Sequence, residues 1–396
     1  MSLLHMREGA MKNVKILLLS RWFFPAKSPR AFRTTELLRE LAQRGHEIDF
    51  FCPQEAIFDD SIPMGRVNVY RIPMAHLLTS GGIVQYSAES TLWTACVNGA
   101  RKISYFLFGV GPKDFIFSIR LYRMLKKKVN NVSYDLVLAI SFPFSILVVS
   151  ALYTLHKKNI CCRIADCGDP LYDNPSMLKA LYLKYVEKSV LQRFDWVTVP
   201  MKAAMSGYRH CCLEHRLRVV PQGFRLTELN PKENHSHVIP TFCYAGVFYE
   251  KTRDPRFFFD FLCRLEMPFV FIVYALESPF TARVLSEYKK HLGERLIIKP
   301  PIDRESLIHE MAKMDFVINF DNDNTTQRPS KLIDYAMSRR PILSFNRQTF
   351  RPEVFQAFLK GDYSEQYNVD LAQYDIRHVV DQFEALVDEK IRGDVK

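Results

Sequence analysis

The stretch "VKILLLSRWFFPAKSPRAFRTTELLRELAQRGHEIDFFCP", residues 14–53, contains two short apolar runs separated by a segment of different periodicity. The runs "VKILLLS" and "EIDFFCP" are short and mostly apolar, which is typical of buried strands. Between them, Leu37, Leu38 and Leu41 recur at helical spacing, and Gly45 ends the helical pattern. The stretch therefore predicts a strand, a helix and a second strand parallel to the first.

The same alternation continues along the rest of the chain. Strand-like runs recur as "YDLVLAIS", "CCRIADCG", "DWVTVP" and "LRVVPQG", and after a polar, proline-bounded stretch as "TFCYAGVF", "FVFIVYA", "RLIIKPP" and "DFVINF". Each pair of runs is separated by a helical pattern. Repeated strand–helix units predict mostly parallel sheets with helices on both faces.

We therefore expect an α/β protein with two Rossmann-like, doubly wound parallel-sheet domains and an interdomain cleft. The expected boundaries are residues 12–224, a linker over 225–239, residues 240–375, and a C-terminal helix over 376–396 that can pack on either domain. Ligands of such sheets bind at the carboxyl ends of the strands. Functional residues are therefore sought in the loops that follow strands.

Composition restricts the function classes. The net charge of +11 and pI of about 9.1 favour anionic partners, although a solubilising excess of charge explains them equally well. The nine cysteines have no C-x-x-C spacing, and the two histidines of the polar linker lie in a solvated context, so we expect no metal site. Unpaired cysteines fit a reducing cytoplasm. The uncharged run over residues 136–155 has the length of a membrane span, but its pattern and Pro143 fit a strand followed by a helix.

The stretch "QRPSKLIDYAMSRRPIL", residues 327–343, places a lysine in the first turn of a helix, where the helix dipole disfavours a cation. The backbone N–H groups of Ser330, Lys331 and Leu332 point out of that helix start and can bind an anion, which Lys331 would then attract. Asp334 lies on the same face, where it can accept hydrogen bonds from ribose hydroxyls. The alternative is a surface lysine with a solvated aspartate at i+3.

A second stretch, "YAGVFYEKTRDP" at residues 244–255, favours the anion. Gly246 ends a strand, and Lys251 and Arg253 follow in the loop at its carboxyl end. Arginine binds phosphate well because its planar guanidinium donates two parallel hydrogen bonds. Arg253 and Lys331 from neighbouring loops could therefore hold a diphosphate.

These stretches, with residues 14–53, "RIADCGDPLYD" and "DWVTVP…VVPQGF", resemble the glycosyltransferases of family 4, in the same order over nearly the whole chain. The resemblance is to the family's "PSKL" variant, and it implies a bacterial polysaccharide-biosynthesis enzyme. It implies a GT-B architecture and a nucleotide-diphosphate sugar, UDP- or GDP-linked, held mainly by the C-terminal domain. It also implies retention of anomeric configuration and no required metal or cofactor.

By this resemblance, Arg253 and Lys331 contact the donor diphosphate, where they would stabilise the charge that grows as the diphosphate leaves. Asp334 falls on the second acidic position of the family's E-x7-E motif, which holds the ribose. The first position of that motif is Thr326, so its glutamate is absent.

The first domain departs from the family in two places. The usual glycine pair after the first strand is replaced by "FFPAKSPRAFR", so Arg30 and Arg33 are expected to supply charge there. In "RIADCGDPLYD", Asp169 matches the family's aspartate, while Gly168 stands where the family has arginine. Asp169 is a candidate to orient or deprotonate the acceptor hydroxyl, and capping of its own loop is an equal alternative.

Residues 101–129 combine aromatic and basic side chains. On a helical wheel a basic cluster adjoins an apolar face. The basic cluster comprises Arg120, Arg123 and Lys127, and the apolar face comprises Phe115, Ile119 and Tyr122. Such a helix can lie on an anionic membrane, or it can be a core helix with a solvated basic edge. A lipid-linked acceptor would explain the membrane surface.

We therefore expect a cytoplasmic glycosyltransferase on the inner face of the membrane, which moves a sugar to a hydroxyl of a lipid-linked or polysaccharide acceptor. Three alternatives stay open: a nucleotide-sugar epimerase of the same fold, an inactive nucleotide-sugar-binding protein, and a basic nucleic-acid-binding protein. The last is disfavoured because the aromatic residues fall largely in apolar strands and helices and no nucleic-acid recognition motif is present.

Overall fold

The chain forms two compact units. The first comprises Met1–Phe224 and Tyr374–Lys396, and the second comprises Arg225–Gln373. The computed structural model describes residues 13–26, 28–73, 91–174, 180–213, 215–226, 237–250, 252–275, 278–321 and 331–394. Thr326, Ser330, Lys251 and most of the expected linker lie outside these ranges.

Unit 1 contains a seven-stranded sheet of order β3-β2-β1-β4-β5-β6-β7, in which every neighbouring pair is parallel. Its strands are β1 (Lys15–Ser20), β2 (Glu47–Pro53), β3 (Val67–Ile72), β4 (Tyr134–Ile140), β5 (Ile160–Asp166), β6 (Trp196–Val199) and β7 (Leu217–Val219). Its first five helices are α1 (Pro29–Gln43), α2 (Thr91–Phe108), α3 (Pro112–Lys128), α4 (Ser145–Thr154) and α5 (Leu183–Leu191).

Helix α1 shows how local sequence determines an element. Ser28 caps it, because its hydroxyl accepts the N–H of Ala31 at 3.2 Å, and Pro29 occupies the first helical position. The apolar stripe of Leu37, Leu38 and Leu41 is buried against the sheet. The strand–helix–strand prediction for residues 14–53 is confirmed.

Unit 2 contains a five-stranded parallel sheet of order β10-β9-β8-β11-β12. Its strands are β8 (Thr241–Gly246), β9 (Val270–Ala275), β10 (Leu296–Lys299), β11 (Phe316–Phe320) and β12 (Ile342–Phe345). Its helices are α6 (Arg256–Arg264), α7 (Pro279–Leu292), α8 (Arg304–Ala312), α9 (Lys331–Met337) and α10 (Pro352–Leu359). Stacked and edge-to-face phenylalanines, with Phe242 and Phe258 at the centre, fill its core. The predicted fold class, two parallel α/β sheets, is confirmed.

The last helix, α11 (Ile376–Asp394), belongs to unit 1. Val379 and Phe383 are buried in the same apolar cluster as the stripe of α1. The indole N–H of Trp196 donates to the carbonyl of Leu386 at 2.8 Å, and Arg44 forms an ion pair with Glu384 at 2.7 Å. The two ends of the chain therefore build one core.

The uncharged run over residues 136–155 forms strand β4 followed by helix α4, as its pattern predicts. Within the described ranges, no helix combines the length and the apolar character needed to cross a membrane.

Candidate functional site

The loop after β8 carries the first candidate cation of unit 2. Tyr249 and Arg253 form a short antiparallel bridge, in which the N–H of Arg253 donates to the carbonyl of Tyr249 at 2.9 Å. The guanidinium carbon of Arg253 lies 5.9 Å from the centre of the Tyr249 ring. The turn thus fixes Arg253 close to the carboxyl end of the strand.

Lys331, the first described residue of α9, lies against the end of the same strand. Its Nζ donates to the carbonyl of Ala245 at 2.8 Å and lies 5.1 Å from the centre of the Tyr244 ring. A Cβ atom on Gly246 would lie 1.4 Å from that Nζ, and Gly246 has a φ of +141°. Only glycine allows both this backbone conformation and the close approach of the lysine.

Arg253 and Lys331 are close enough to repel each other. Burial and the positive charge of Arg253 lower the pKa of Lys331 to about 7, while Asp334 acts in the opposite direction. Among the residues that the structure describes, the ammonium of Lys331 bonds to a backbone carbonyl and not to a carboxylate. A pair of neighbouring cations of this kind favours an anion as its ligand.

Asp334 has a partner that the sequence did not indicate. Nε and Nη2 of Arg304, at the start of α8, donate to its Oδ1 at 2.8 and 2.6 Å. Burial raises the pKa of Asp334, and Arg304 and Lys331 oppose that shift. Arg304 precedes Asp334 by thirty residues, so no local spacing relates them. The carboxylate is therefore held in one orientation, with Oδ1 occupied.

The other predicted residues of this stretch contribute less. The side chain of Leu332 is buried, so it can offer only its backbone N–H. Ser330 lies outside the described residues, as does Thr326.

A cavity of about 140 Å³ lies in unit 2 at the carboxyl ends of β8, β11 and β12. It is lined by Glu250, Arg253, Asp254, Phe257, Phe320, Asp321, Asn346 and Arg347. Sites that enclose a whole small ligand are typically about 300–1,000 Å³, so this cavity can hold only part of one. Arg253 is thus shared by the cavity and the cation pair.

In unit 1, the structure gives Arg33 a structural role in place of the expected anion site. Its side chain is only 2% exposed. Its Nε and Nη2 donate to the two oxygens of Asp166 at 2.6 and 2.7 Å, and Nη1 donates to the carbonyl of Pro221 at 2.6 Å. Burial alone would raise the pKa of Asp166, but Arg33 and the neighbouring Arg30 hold it below its usual value. Because the chain itself neutralises Arg33, we withdraw it from the anion-binding residues.

Arg30 lies beside this pair but reaches further outward. Its Nη1 is 3.5 Å from Asp166, and a Cβ atom on Gly168 would lie 1.5 Å from its Nη2. The absence of a side chain at Gly168 therefore provides the space for the guanidinium. The guanidinium of Arg30, from α1, thus lies where a side chain at residue 168 would be.

Asp169 is exposed in the loop after β5. Glu187 fixes that loop, because its carboxylate accepts the backbone N–H groups of Leu171 at 2.5 Å and Tyr172 at 3.0 Å. His210 also contacts Glu187, at 2.9 Å. The carboxylate of Glu187 thus fixes the loop that carries Asp169.

Among the described residues, one group has the composition of a metal site: Glu187, His210 and Cys211. Both oxygens of Glu187 already accept backbone N–H groups, and burial raises the pKa of Cys211 to about 12, which disfavours the thiolate. We assign the group a structural role. In the expected linker, His237 pairs with Asp315 at 3.2 Å and is not simply solvated.

Solved structures similar to this chain are glycosyltransferases. Anabaena HepE in complex with UDP has a TM-score of 0.57 and 12% identity, covering 95% of this chain and 100% of that chain. The lipopolysaccharide outer core galactosyltransferase WaaB, in its apo form, has a TM-score of 0.53 and 10% identity, covering 96% and 99%. The catalytic domain of starch synthase IV from Arabidopsis thaliana, bound to ADP and acarbose, has a TM-score of 0.54 and 11% identity, covering 96% and 100%.

At these identities the structural likeness establishes the fold. A comparison with curated protein sequences finds no match. The family model for Glycosyltransferase Family 4 matches residues 31–228, half of the chain. The chain therefore belongs to Glycosyltransferase Family 4 and is a glycosyltransferase with the GT-B fold.

Proposed function

We propose that the protein transfers a sugar from a nucleotide-diphosphate sugar to a hydroxyl acceptor with retention of anomeric configuration. Unit 2 binds the donor, and unit 1 supplies the acceptor-side group. The observation that carries the proposal is the neighbouring pair of Arg253 and Lys331 at the carboxyl end of β8, where ligands of doubly wound sheets bind.

The cation pair acts on the leaving group. As the bond between the anomeric carbon and the diphosphate oxygen breaks, its electron pair passes to the diphosphate. Arg253 and Lys331 stabilise that charge more in the transition state than in the ground state, and this difference lowers the barrier. Because two fixed cations perform this task, we propose that neither a metal nor a cofactor is required.

Lys331 is suited to this task by its environment. Its pKa of about 7 means that the unliganded site holds a partly neutral lysine. A bound diphosphate supplies the counter-charge, raises that pKa and draws in a proton. Protonation of Lys331 is thus coupled to binding of the diphosphate.

Asp334 is proposed to hold the ribose. Arg304 occupies Oδ1, and among the described residues no donor contacts Oδ2. Oδ2 can therefore accept a ribose hydroxyl, while Arg304 opposes the effect of burial on the pKa of Asp334 and keeps its carboxylate oriented. The proposed donor is UDP- or GDP-linked; HepE, which shares the fold, has been solved with UDP-glucose.

Asp169 is the proposed acceptor-side group. Its exposed carboxylate, on a loop fixed by Glu187, can orient the acceptor hydroxyl and take its proton as the new bond to the anomeric carbon forms. Arg30 lies beside that loop and is the proposed cation of unit 1.

The acceptor is proposed to be a hydroxyl of a lipid-linked sugar or a polysaccharide in bacterial glycan synthesis. The enzyme would then work in the cytoplasm, on the inner face of the membrane, which residues 101–129 would contact. The basic and aromatic character of that segment supports this location.

The test is a reaction series with UDP- and GDP-sugars and a lipid-phosphate-linked sugar as acceptor. We expect release of nucleoside diphosphate that depends on the acceptor, and a product whose anomeric configuration, read by NMR, equals that of the donor. An inverted product would contradict retention. Recovery of an epimerised nucleotide sugar, with no transfer to any acceptor, would contradict the transferase assignment.

A further inference from the structure

Unit 1 exposes large apolar side chains from three segments, residues 103–108, 115–119 and 181–185. Leu181, Tyr185 and Ile103 are 75%, 73% and 60% exposed. Single exposed apolar residues are ordinary, but a contiguous group of this kind marks an interaction site. We refer to these three segments together as the corner surface.

Direct contacts join the three segments into one surface. The rings of Phe108 in α2 and Phe115 in α3 are 5.9 Å apart. The N–H of Ala180 donates to the carbonyl of Phe106 at 3.1 Å, and the hydroxyl of Tyr182 donates to the carbonyl of Leu107. The chain before α5 is thus held against the end of α2.

The turn between α2 and α3 keeps these side chains pointing outward. Val110 is buried, and its carbonyl accepts the hydroxyl of Ser104 at 2.8 Å. Gly109 has a φ of +67°, and a Cβ atom there would lie 2.3 Å from the side chain of Leu171. Because the turn is packed into unit 1, its flanking aromatic residues cannot fold back into the core.

The exposed charges within the corner segments have one sign. Residues 101–128 and 180–188, all of which the structure describes, contain two acidic residues, Asp114 and Glu187, and both are buried. Asp114 pairs with Arg21 and Glu187 with His210. The basic side chains stay exposed, and they include Arg101, Lys102, Lys113, Arg123 and Lys184. Within these segments the exposed charges are therefore all basic, and they adjoin the exposed apolar side chains.

We propose that the corner surface docks on an anionic lipid bilayer. Its phenylalanine, leucine and isoleucine side chains would enter the boundary between headgroups and acyl chains, and Tyr182 and Tyr185 would lie at headgroup level. The cations would contact lipid phosphates. A protein partner would have to present acidic groups around an apolar centre, whereas a bilayer of anionic lipid offers both over any area.

This inference rests on the proposed function, because a transferase with a lipid-linked acceptor must reach a bilayer. It also extends that function, because the segment before α5 joins residues 101–129 in one surface. Vesicle binding and UDP binding are independent measurements, so the two proposals can fail separately.

The test is flotation of the full chain with vesicles of phosphatidylcholine alone, or of phosphatidylcholine mixed with phosphatidylglycerol. We expect binding to the anionic vesicles that weakens as salt is added. Two variants should each weaken it about 100-fold, one by loss of apolar burial and one by loss of charge. The apolar variant combines Ile103→Ser, Leu181→Ser and Tyr185→Ser. The charge variant combines Arg101→Gln, Lys102→Gln and Lys113→Gln.

Matched controls come from exposed positions of unit 2. They are Ile298→Ser, and Arg264→Gln with Lys290→Gln and Lys360→Gln. The controls should float like the parent, and every variant should bind UDP like the parent. Equal flotation of the corner variants and the parent would overturn the proposal. Failure of the parent protein to bind anionic vesicles would also overturn it. The same holds if the parent forms an oligomer in vesicle-free buffer and the corner variants dissociate it, because the surface would then be a contact between copies of this chain.

Discussion

Arg33 in unit 1 is buried and Lys331 in unit 2 is partly buried, and the surroundings of the two cations are opposite. Arg33 meets the carboxylate of Asp166 through two hydrogen bonds of 2.6 and 2.7 Å. Lys331 meets the carbonyl of Ala245 and a second cation, Arg253. A position at the carboxyl end of a parallel strand therefore does not by itself make a ligand site. What matters is whether the chain supplies the counter-charge.

The directions of the pKa shifts express this difference. In unit 1, Arg33 overcomes the effect of burial and keeps the pKa of Asp166 low, so both charges are stable in the fold. In unit 2, burial and Arg253 lower the pKa of Lys331 to about 7, so its charge is destabilised until an anion arrives. The first arrangement contributes to stability, and the second to binding.

The largest effect is expected from breaking the neutralised pair. Arg33→Met leaves Asp166 buried without its cation, which should lower the free energy of unfolding of unit 1 by about 3–5 kcal/mol. All three tryptophans belong to unit 1, so denaturant unfolding followed by tryptophan fluorescence reports this unit. UDP affinity should be unchanged under native conditions.

The matched control is Lys15→Met, which removes an exposed ion pair with Glu47 in unit 1 and should cost less than about 1 kcal/mol. If Arg33→Met does not fold, Asp166→Asn offers a milder change in the same pair. A stable Arg33→Met or Asp166→Asn protein with lost UDP binding would reverse the comparison, because Arg33 would then be a ligand residue.

A smaller effect is expected from Asp334→Asn, which keeps the shape of the side chain and removes its charge. If Oδ2 accepts a ribose hydroxyl, the variant should bind UDP about tenfold more weakly, the worth of one hydrogen bond to a charged group. Its affinity for inorganic pyrophosphate, which lacks the ribose, should fall less, because only the support that Asp334 gives to the charge of Lys331 is lost. Calorimetric titration with both ligands checks this. Equal losses for both would place Asp334 with the cation pair and not with the ribose.

The smallest effect is a pH dependence of UDP affinity. Lys331 must be protonated to hold the diphosphate, and its pKa of about 7 lies within the accessible range. The dissociation constant should therefore rise up to about tenfold between about pH 6 and about pH 8, with uptake of a proton on binding. In Lys331→Met the pH dependence of the dissociation constant comes from the titration of UDP itself, so this variant serves as the reference. Parallel pH profiles of parent and variant would show that Lys331 does not titrate in binding.

The fold could be read from the sequence because it depends on local periodicity. Runs such as "VKILLLS" and the leucine stripe of α1 specify strand and helix without distant information. Gly246 could also be assigned to the end of a strand, but its contact with Lys331 became visible only in the structure.

Contacts between residues far apart in sequence could not be derived in this way. Nothing around Arg33 indicates that Asp166, at the end of β5, neutralises it. In the same way, nothing in the sequence near Asp334 indicates that Arg304, at the start of α8, forms an ion pair with it. An arginine looks the same in sequence whether its counter-charge comes from the chain or from a ligand. Only the packing of the sheets decides between these roles.

The most direct test of the account is the affinity for UDP of Lys331→Met and Arg253→Met, measured by calorimetric titration beside the parent and an exposed control, Lys290→Met. Each site variant should keep its circular dichroism spectrum and lose about 10- to 100-fold in affinity, the worth of a charge-assisted hydrogen bond to phosphate. The control should bind like the parent. Two folded site variants that bind UDP as tightly as the parent would contradict the claim that this cation pair holds the donor diphosphate.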